Sequence, residues 1–297
     1  VGGTGFLCYH LSLKCIKNKW QVISLSRKKP KPFRTIKKVN YQIVDTSNKK
    51  KLNKILKKIN NIDYVVNLSG EVDHKNKKKV FSSHYKGSIN LSNILLKKKI
   101  KKFIQIGSSM EYGKLSSPQI ETTKVKPVSN YGKAKALATN FFLKLHANYS
   151  FPVIILRPYQ VYGTHQDLNR FIPIVVQNCI QDKTFPCSNG KQSRDFLYID
   201  DFINCIMKCL AKKNITGQIF NIGYGKSNKI LNIINLIKKK CDRGKPLLGH
   251  IKLRNEENLI TYPNIKKAYK LLRWKPKTKF ENGLKKTISF YKKNILK

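Results

Sequence analysis

Acidic residues are scarce in this chain. It has 15 Asp and Glu among 297 residues against 61 Lys and Arg, so its formal net charge at pH 7 is +46. Only eight of the basic residues are arginines, and lysine runs are spread along the chain. Nucleic-acid recognition favours Arg, which makes bidentate contacts with bases and phosphates. The dispersed lysines therefore predict a solvated cationic surface and no specific nucleic-acid partner. A non-catalytic, basic nucleic-acid-binding protein is the remote alternative.

Long apolar runs and a cysteine framework are also lacking. No apolar stretch approaches the ~20 residues that a membrane span requires, and no signal peptide is visible. The seven cysteines have no C-x-x-C spacing, and Cys205 and Cys209 have no histidine near them in the sequence. These absences predict a cytoplasmic protein with reduced thiols, no metal site and no membrane partner.

The central stretch, residues 104–135, combines hydroxyls with a Tyr-x-x-x-Lys spacing. Residues 104–113 (IQIGSSMEYG) predict a buried strand that ends in hydroxyls, and residues 130–135 (NYGKAK) predict the start of a helix. The four-residue spacing places Tyr131 and Lys135 on one face of that helix. An ammonium beside a phenol favours the phenolate and lowers its pKa from about 10. With the hydroxyl of Ser109, these groups form a proton relay between C–OH and C=O, which needs a hydride acceptor from a cofactor.

A glycine-rich turn near the N-terminus can bind such a cofactor. Residues 1–8 read VGGTGFLC, and helix-compatible sequence follows. Gly2 and Gly5 allow the backbone to approach a pyrophosphate at a helix N-terminus. Together with Ser…Tyr-x-x-x-Lys, this turn makes the chain similar to the extended short-chain dehydrogenases, the NAD-dependent epimerase/dehydratase family that acts on nucleotide sugars. Further matching motifs are LRPYQVYG at 156–163, RFIP at 170–173, RDFLYIDD at 194–201 and FNIG at 220–223.

The resemblance implies an α/β fold, a Rossmann-type doubly wound parallel sheet with a smaller mixed α/β C-terminal part that binds substrate. Residues 1–157 are expected to form the NAD(P)-binding domain and residues 158–297 mainly the substrate-binding part, interleaved with a last Rossmann strand near 219–223. Because only Val1 precedes the glycine-rich turn, the first strand is expected to be truncated. A homodimer is also expected, because the helices at 84–99 and 131–147 resemble those that pair across a two-fold axis in relatives.

The end of the second predicted strand bears on the choice of cofactor. NAD-specific folds commonly have an acid there, whereas an Arg accommodates the 2′-phosphate of NADP. This chain has Ser26 and Arg27, which predicts NADP, with NAD as the alternative. The remaining cofactor-binding residues that the resemblance implies are Phe6, Leu7, Asp45, Thr46, Leu68, Ser69, Gly70 and Pro158.

The substrate implied by the resemblance is a nucleotide-diphosphate sugar. Arg194 and Arg254 match the phosphate-binding arginines of the family, and each can make bidentate contacts. Arg170 is a further candidate, and Gln160 lies where many relatives have Asn. His74 and His84 flank a lysine-rich segment and are interpreted as solvated side chains.

Met110 and Glu111 limit the reaction. Dehydratase relatives have an acid pair near this position, and Met cannot act as a general acid. Water elimination is therefore disfavoured, although Glu111 could still remove the sugar C5 proton as a catalytic base. The sequence favours an enzyme that transfers hydride at the sugar C4, specifically a 4-keto-sugar reductase. The alternative is a 4-epimerase or dehydratase with tightly bound NAD.

Overall fold

The computed structural model describes residues 1–71, 76–253 and 258–295, which fold into parallel strands with helices on both faces. The strands are β1 (Val22–Ser26), β2 (Val39–Ile43), β3 (Tyr64–Asn67), β4 (Lys102–Ile106), β5 (Val153–Pro158), β6 (Gln160–Tyr162), β7 (Thr184–Pro186), β8 (Ser193–Tyr198), β9 (Ile219–Ile222), β10 (Ser227–Lys229), β11 (Lys245–Leu247) and β12 (Ile260–Thr261). The helices are α1 (Phe6–Lys17), α2 (Lys49–Lys57), α3 (Lys77–Phe81), α4 (Gly87–Leu95), α5 (Asn130–Tyr149), α6 (Phe171–Ile180), α7 (Ile199–Ala211), α8 (Ile230–Cys241), α9 (Lys266–Leu272) and α10 (Phe280–Ile295).

Val1 joins two groups of parallel strands. β1 pairs with β2, and a four-stranded group has the order β3-β4-β5-β9. The amino group of Val1 donates to the Val66 carbonyl at 2.8 Å, and the Leu68 N–H donates to the Val1 carbonyl at 3.0 Å. On the other side, the Gly2 N–H donates to the Leu25 carbonyl at 2.8 Å. Val1 thus lies between β1 and β3, and the carboxyl ends of these parallel strands meet at one edge of the sheet.

A cavity of about 540 Å³ lies next to Val1, between β1 and β3. Side chains of both strands and of the covering helices line it, among them Val22, Val66, Leu11 and Leu95. The expectation of a truncated first strand stays a prediction.

The two faces of β4 and β5 are buried in separate clusters. Ile104 and Ile154 pack with residues of α1, α6 and α7, whereas Phe103 and Val153 pack with residues of α2, α4 and α5. Successive side chains of a strand point to opposite faces, so a strand that is covered on both faces reads as a continuous apolar run. This arrangement confirms the predicted doubly wound α/β fold.

The C-terminal part contains a smaller mixed sheet around β8. β8 pairs in parallel with β6 and β12 and antiparallel with β10, while β7 and β11 form a separate parallel pair. β9 returns to the larger sheet and pairs with β5. Within the described part of the chain, no helix has the length and apolar character needed to cross a membrane. The division at residues 157 and 158 stays a prediction.

Candidate active site and cofactor groove

The glycine-rich turn lies at the carboxyl edge of the sheet and leads into α1. Gly2 has φ +79°, and a Cβ there would lie 2.8 Å from the carbonyl carbon of Leu68, so the position requires glycine. At Gly5, a Cβ would meet only the Gly2 carbonyl at 3.4 Å, which leaves the space above the turn open. Gly5 is the N-cap residue of α1, and no side chain caps this end of the helix. Because the first N–H groups of a helix lack intrahelical partners, this terminus, which includes Phe6 and Leu7, suits an anionic group.

The other predicted cofactor-binding residues follow the strands at the same edge. Asp45 and Thr46 lie after β2, where the Asp45 carboxylate accepts from the Ser47 N–H at 2.8 Å and the Thr46 carbonyl accepts from Asn90. Ser26 ends β1 and donates its hydroxyl to the Lys28 carbonyl at 2.7 Å. The topology therefore brings these residues, together with Pro158 at the end of β5, to one edge of the sheet.

The turn after β3 is tied to the glycine-rich turn. Leu68 donates to Val1, and both the N–H and the hydroxyl of Ser69 donate to the Asn67 side chain. A Cβ on Gly70 would lie 2.1 Å from the imidazole of His84, so glycine allows that ring to pack against the turn.

Arg27 has an ionic partner that the sequence did not reveal. Its two terminal nitrogens each lie 3.1 Å from Oε2 of Glu71, which follows the turn after β3. The guanidinium that was predicted to meet a 2′-phosphate is thus bound to a carboxylate in this structure.

The Ser108 side chain lies near enough to the phenol of Tyr131 to favour the phenolate. Ser108 follows β4 and caps a short 3₁₀ turn, where its hydroxyl accepts from the Met110 N–H at 3.1 Å. The predicted Ser109 is the first residue of that turn and is buried. The two hydroxyls are adjacent in sequence, and Ser108 is the one that acts on the Tyr131 phenol in this structure. The catalytic role of Ser109 stays a prediction.

Lys135 lies one helical turn after Tyr131 on α5, as the spacing predicts. Ser129 caps this helix, because its hydroxyl accepts from the Gly132 N–H at 3.1 Å. The buried Lys135 ammonium donates to the Ile106 carbonyl at 2.7 Å and lies 5.8 Å from the centre of the Tyr131 ring. The end of β4 and the start of α5 therefore bring Ser108, Tyr131 and Lys135 together.

Burial controls the protonation of this cluster. It raises the pKa of Tyr131 above its usual value, and the charge of Glu111 acts in the same direction, whereas Ser108 and Arg170 act in the opposite one. Burial also lowers the pKa of Lys135 to about 8, partly opposed by Glu111. The expected lowering of the Tyr131 pKa is therefore not found in this structure, because desolvation outweighs the effects of Ser108 and Arg170.

Glu111 is engaged by other protein groups. Its side chain is 0% exposed and lies 2.8 Å from Nη2 of Arg157, which also donates from Nε at 3.0 Å. Its second oxygen accepts from the Ser108 N–H at 2.8 Å. A carboxylate held in this way would have to break a buried ion pair to reach a sugar C5 proton, which favours a structural role. The catalytic role of Glu111 stays a prediction.

Sequence reasoning overlooked Arg157, although Arg is rare in this chain. Besides binding Glu111, its guanidinium donates to the Tyr112 hydroxyl at 3.0 Å, and that hydroxyl donates to Asn221 at 2.8 Å. This network links the ends of β4, β5 and β9 near Ser108. The signal in the sequence was an arginine at the end of an otherwise apolar strand.

His84 is buried, with 4% exposure, which corrects the interpretation of this residue as solvated. It lies on a π-helical turn, Ser82–Lys86, between α3 and α4. Its ring packs edge-on against Tyr131, and its Nε2 accepts from the Glu71 N–H at 3.0 Å. The predicted helix over 84–99 therefore begins within this turn and continues as α4, which ends at Leu95. His74 lies outside the described residues.

The predicted substrate-binding residues lie in the C-terminal part of the chain. Arg170 caps α6 and lies near enough to Tyr131 to favour the phenolate. Gln160 is exposed at the start of β6, and Arg194 on β8 donates to the Ser193 carbonyl at 2.9 Å. Arg254 lies outside the described residues. Among the residues that are described, no group of His, Cys, Asp and Glu side chains could hold a metal ion.

The model of the NAD dependent epimerase/dehydratase family matches residues 1–223, and the chain belongs to this family. It is 30% identical over 227 residues to dTDP-D-glucose 4,6-dehydratase of Mus musculus, covering 70% of this chain and 61% of that protein. It is also 30% identical over 220 residues to UDP-glucuronate 4-epimerase of Thermodesulfobacterium geofontis, covering 72% of this chain and 66% of that protein. For the first three curated relatives, the match spans about three fifths of their length.

Solved structures of this family superimpose on nearly the whole chain. UDP-glucuronic acid 4-epimerase from Bacillus cereus, in complex with UDP-glucuronic acid and NAD, has a TM-score of 0.90 and 27% identity, covering 99% of this chain and 98% of that structure. UDP-glucose 4-epimerase from Thermotoga maritima, with UDP-glucose, has a TM-score of 0.93 and 23% identity at the same coverage.

Proposed function

We propose that this protein binds a nicotinamide dinucleotide and interconverts the C4 hydroxyl and ketone of a nucleotide-diphosphate sugar. The observation that carries the proposal is the cluster of Ser108, Tyr131 and Lys135 at the same sheet edge as the glycine-rich turn. This cluster combines a hydroxyl that can hold an oxygen, a phenol that can exchange its proton and a cation that can stabilise the phenolate.

The residues of the groove fit a dinucleotide. The open space above Gly5 and the uncapped terminus of α1 suit a pyrophosphate, and the turn Leu68–Gly70 and Pro158 border the same edge. A dinucleotide bound there supplies the hydride acceptor and donor for the sugar C4. The relatives support this assignment, because the Bacillus cereus 4-epimerase structure contains NAD.

The chain's own residues move the proton. Ser108 holds the C4 oxygen, and Tyr131 accepts a proton from the hydroxyl or donates one to the ketone. Because burial raises the pKa of Tyr131, its action as a base requires cations nearby, and Lys135 and Arg170 are in position to favour the phenolate. Arg170 and Arg194 are proposed to bind the diphosphate.

Among the reactions of this family, we propose 4-epimerisation. Elimination of water needs an acid and a base near the sugar C5 and C6, but Met110 cannot supply a proton and Glu111 is bound to Arg157. The sequence favoured a reductase because Arg27 predicted NADP, and this argument weakens since Arg27 is bound to Glu71. A 4-keto-sugar reductase is the second candidate, favoured by the presence of Arg27 at the end of β1.

Identification of the dinucleotide and of the product tests the proposal. The purified protein is denatured, the released dinucleotide is identified by mass spectrometry, and UDP-glucuronic acid, UDP-glucose and dTDP-glucose are followed by NMR. We expect the protein to retain NAD and to convert one of these sugars to its C4 epimer. The reaction should be measurable in both directions. Activity that consumes added NADPH supports the reductase. No reaction with any of these sugars and no bound dinucleotide contradict the proposal. The homodimer, the cytoplasmic location and the absence of a specific nucleic-acid partner stay predictions.

A further inference from the structure

An acidic group lies at the end of β1 although that strand and the residues after it, Ser26 to Lys29, contain none. The carboxylate comes from Glu71, which binds both terminal nitrogens of Arg27 at 3.1 Å. The Glu71 side chain is 14% exposed and that of Arg27 is 46% exposed, so the carboxylate is the more enclosed partner. The end of this strand is where dinucleotide-binding folds distinguish a ribose hydroxyl from a 2′-phosphate.

This ion pair crosses the glycine-rich turn. Val1 lies between β1 and β3 and continues directly into Gly2, whereas Arg27 follows β1 and Glu71 follows the turn after β3. A Cβ on Gly3 would collide with the Ser24 side chain of β1, and one on Gly2 would collide with Leu68 after β3. The ion pair between Arg27 and Glu71 thus joins the segments that follow β1 and β3, which lie on either side of the glycine-rich turn.

The backbone of Glu71 is held in place by His84. The imidazole Nε2 accepts from the Glu71 N–H at 3.0 Å and lies 3.2 Å from the Glu71 carbonyl oxygen. Because His84 is itself buried against Gly70 and Tyr131, this contact fixes the start of the segment that carries the carboxylate. Glu71 is therefore oriented toward Arg27 by an interaction with the interior of the protein.

We propose that Glu71 selects a dinucleotide without a 2′-phosphate, by holding Arg27 and by accepting a hydrogen bond from the adenosine ribose. This inference rests on the proposed function, because it needs a dinucleotide in the groove. A 2′-phosphate would bring about two negative charges next to the Glu71 carboxylate and would have to compete with it for Arg27. Glu71 thereby replaces the acid that is missing from the end of β1.

Binding constants for NADH and NADPH test this inference without an activity measurement. The wild type, Glu71→Gln and the control Glu281→Gln, which removes the same charge from exposed α10, are titrated at about 0.15 M salt, where distant lysines are screened. We expect the wild type to bind NADH about 10-fold or more tightly than NADPH, on the scale of one charge-assisted contact. Glu71→Gln is expected to remove or reverse this preference, mainly by strengthening NADPH binding, and the control is expected to retain it.

Arg27→Gln gives an independent test if Glu71→Gln fails to fold. This variant leaves the Glu71 carboxylate without the guanidinium, so the preference for NADH should increase. A wild type that prefers NADPH, or a ratio that is the same in wild type and Glu71→Gln, overturns the role of Glu71 while leaving the proposed function intact. Binding of neither dinucleotide overturns the proposed function and this inference with it.

Discussion

The imidazole of His84 packs edge-on against the phenol ring of Tyr131, with the ring centres 5.0 Å apart and the planes at 83°. Ser108 lies near the hydroxyl of the same phenol. Tyr131 therefore has His84 against its ring and Ser108 near its reactive oxygen. His84 contacts the turn after β3 as well, so it connects the proposed catalytic residues with the proposed cofactor groove.

Replacement of His84 by Ala is expected to lower kcat about 10- to 100-fold, because small displacements of a catalytic group have effects of this size. KM for the sugar should change little, since His84 contacts Tyr131 and Glu71. His84→Asn should restore part of kcat, because an amide can hydrogen-bond the Glu71 backbone. Steady-state kinetics of both variants, with melting temperatures as the control for folding, measure this. Equal losses in kcat for Ala and Asn would argue against a positioning role.

Ser108 and Ser109 form a matched pair of variants. Ser108→Ala removes the hydroxyl near Tyr131 and is expected to lower kcat at least about 10-fold, within the range for groups that assist proton transfer. Ser109→Ala removes a neighbouring buried hydroxyl and should have a smaller effect. Measured kcat values in the reverse order would restore the assignment made from the sequence.

The sequence was sufficient for the part of the site that depends on local spacing. Tyr131 and Lys135 are four residues apart on one helix, and Gly2 and Gly5 belong to one turn, so periodicity and backbone freedom locate them. Adjacent hydroxyls such as Ser108 and Ser109 differ only in the local turn geometry, which a strand pattern does not specify.

Contacts between distant segments could not be predicted in this way. Glu111 meets Arg157 across 46 residues, and Arg27 meets Glu71 across 44. Both pairs form because parallel strands bring their carboxyl ends to one edge, and the choice of partner depends on the turn that follows each strand. His84 was interpreted as solvated because lysines are frequent in the sequence around it. Its burial depends instead on the neighbouring apolar residues.

Glu111→Gln tests whether this carboxylate is structural. Loss of one partner leaves the buried Arg157 guanidinium unpaired, which is expected to lower the free energy of unfolding by about 3–5 kcal/mol. Urea denaturation measures the change, and Glu121→Gln offers a comparison with another acid that accepts a backbone N–H. A base that removes the C5 proton would instead show unchanged stability with at least about 100-fold lower turnover.

The face of α5 predicts self-association. One face of α5 carries the apolar residues Ala134, Leu137, Ala138, Phe141 and Phe142, of which Ala134, Ala138 and Phe142 are buried in the core. Leu137 remains 42% exposed, and Phe141 is half-buried. If this face pairs with a second copy, light scattering at micromolar concentration should give twice the 34.3 kDa chain mass, and Leu137→Lys should give single chains. A wild type that is monomeric under these conditions refutes the dimer.

Lys135 should make stability depend on alkaline pH. Its pKa is about 8 in the folded protein, below its ordinary value of 10.5, because burial disfavours the ammonium. Below pH 8 the lysine is protonated in both states, and folding carries the cost of burying the charge. Between pH 8 and 10.5 the unfolded chain binds more protons than the folded one, so the contribution of Lys135 to the free energy of unfolding rises with pH.

The comparison of wild type with Lys135→Met isolates this contribution from other groups that titrate in the same range. Relative to Lys135→Met, the wild type should gain about 3 kcal/mol in free energy of unfolding between pH 7 and pH 11, which corresponds to the 2.5-unit difference between these pKa values. Denaturant titrations at both pH values measure it, with Lys144→Met as a control that removes an exposed charge from the same helix. A gain of equal size in the control, or a loss of relative stability as pH rises, would show that the Lys135 ammonium is not buried as the structure describes.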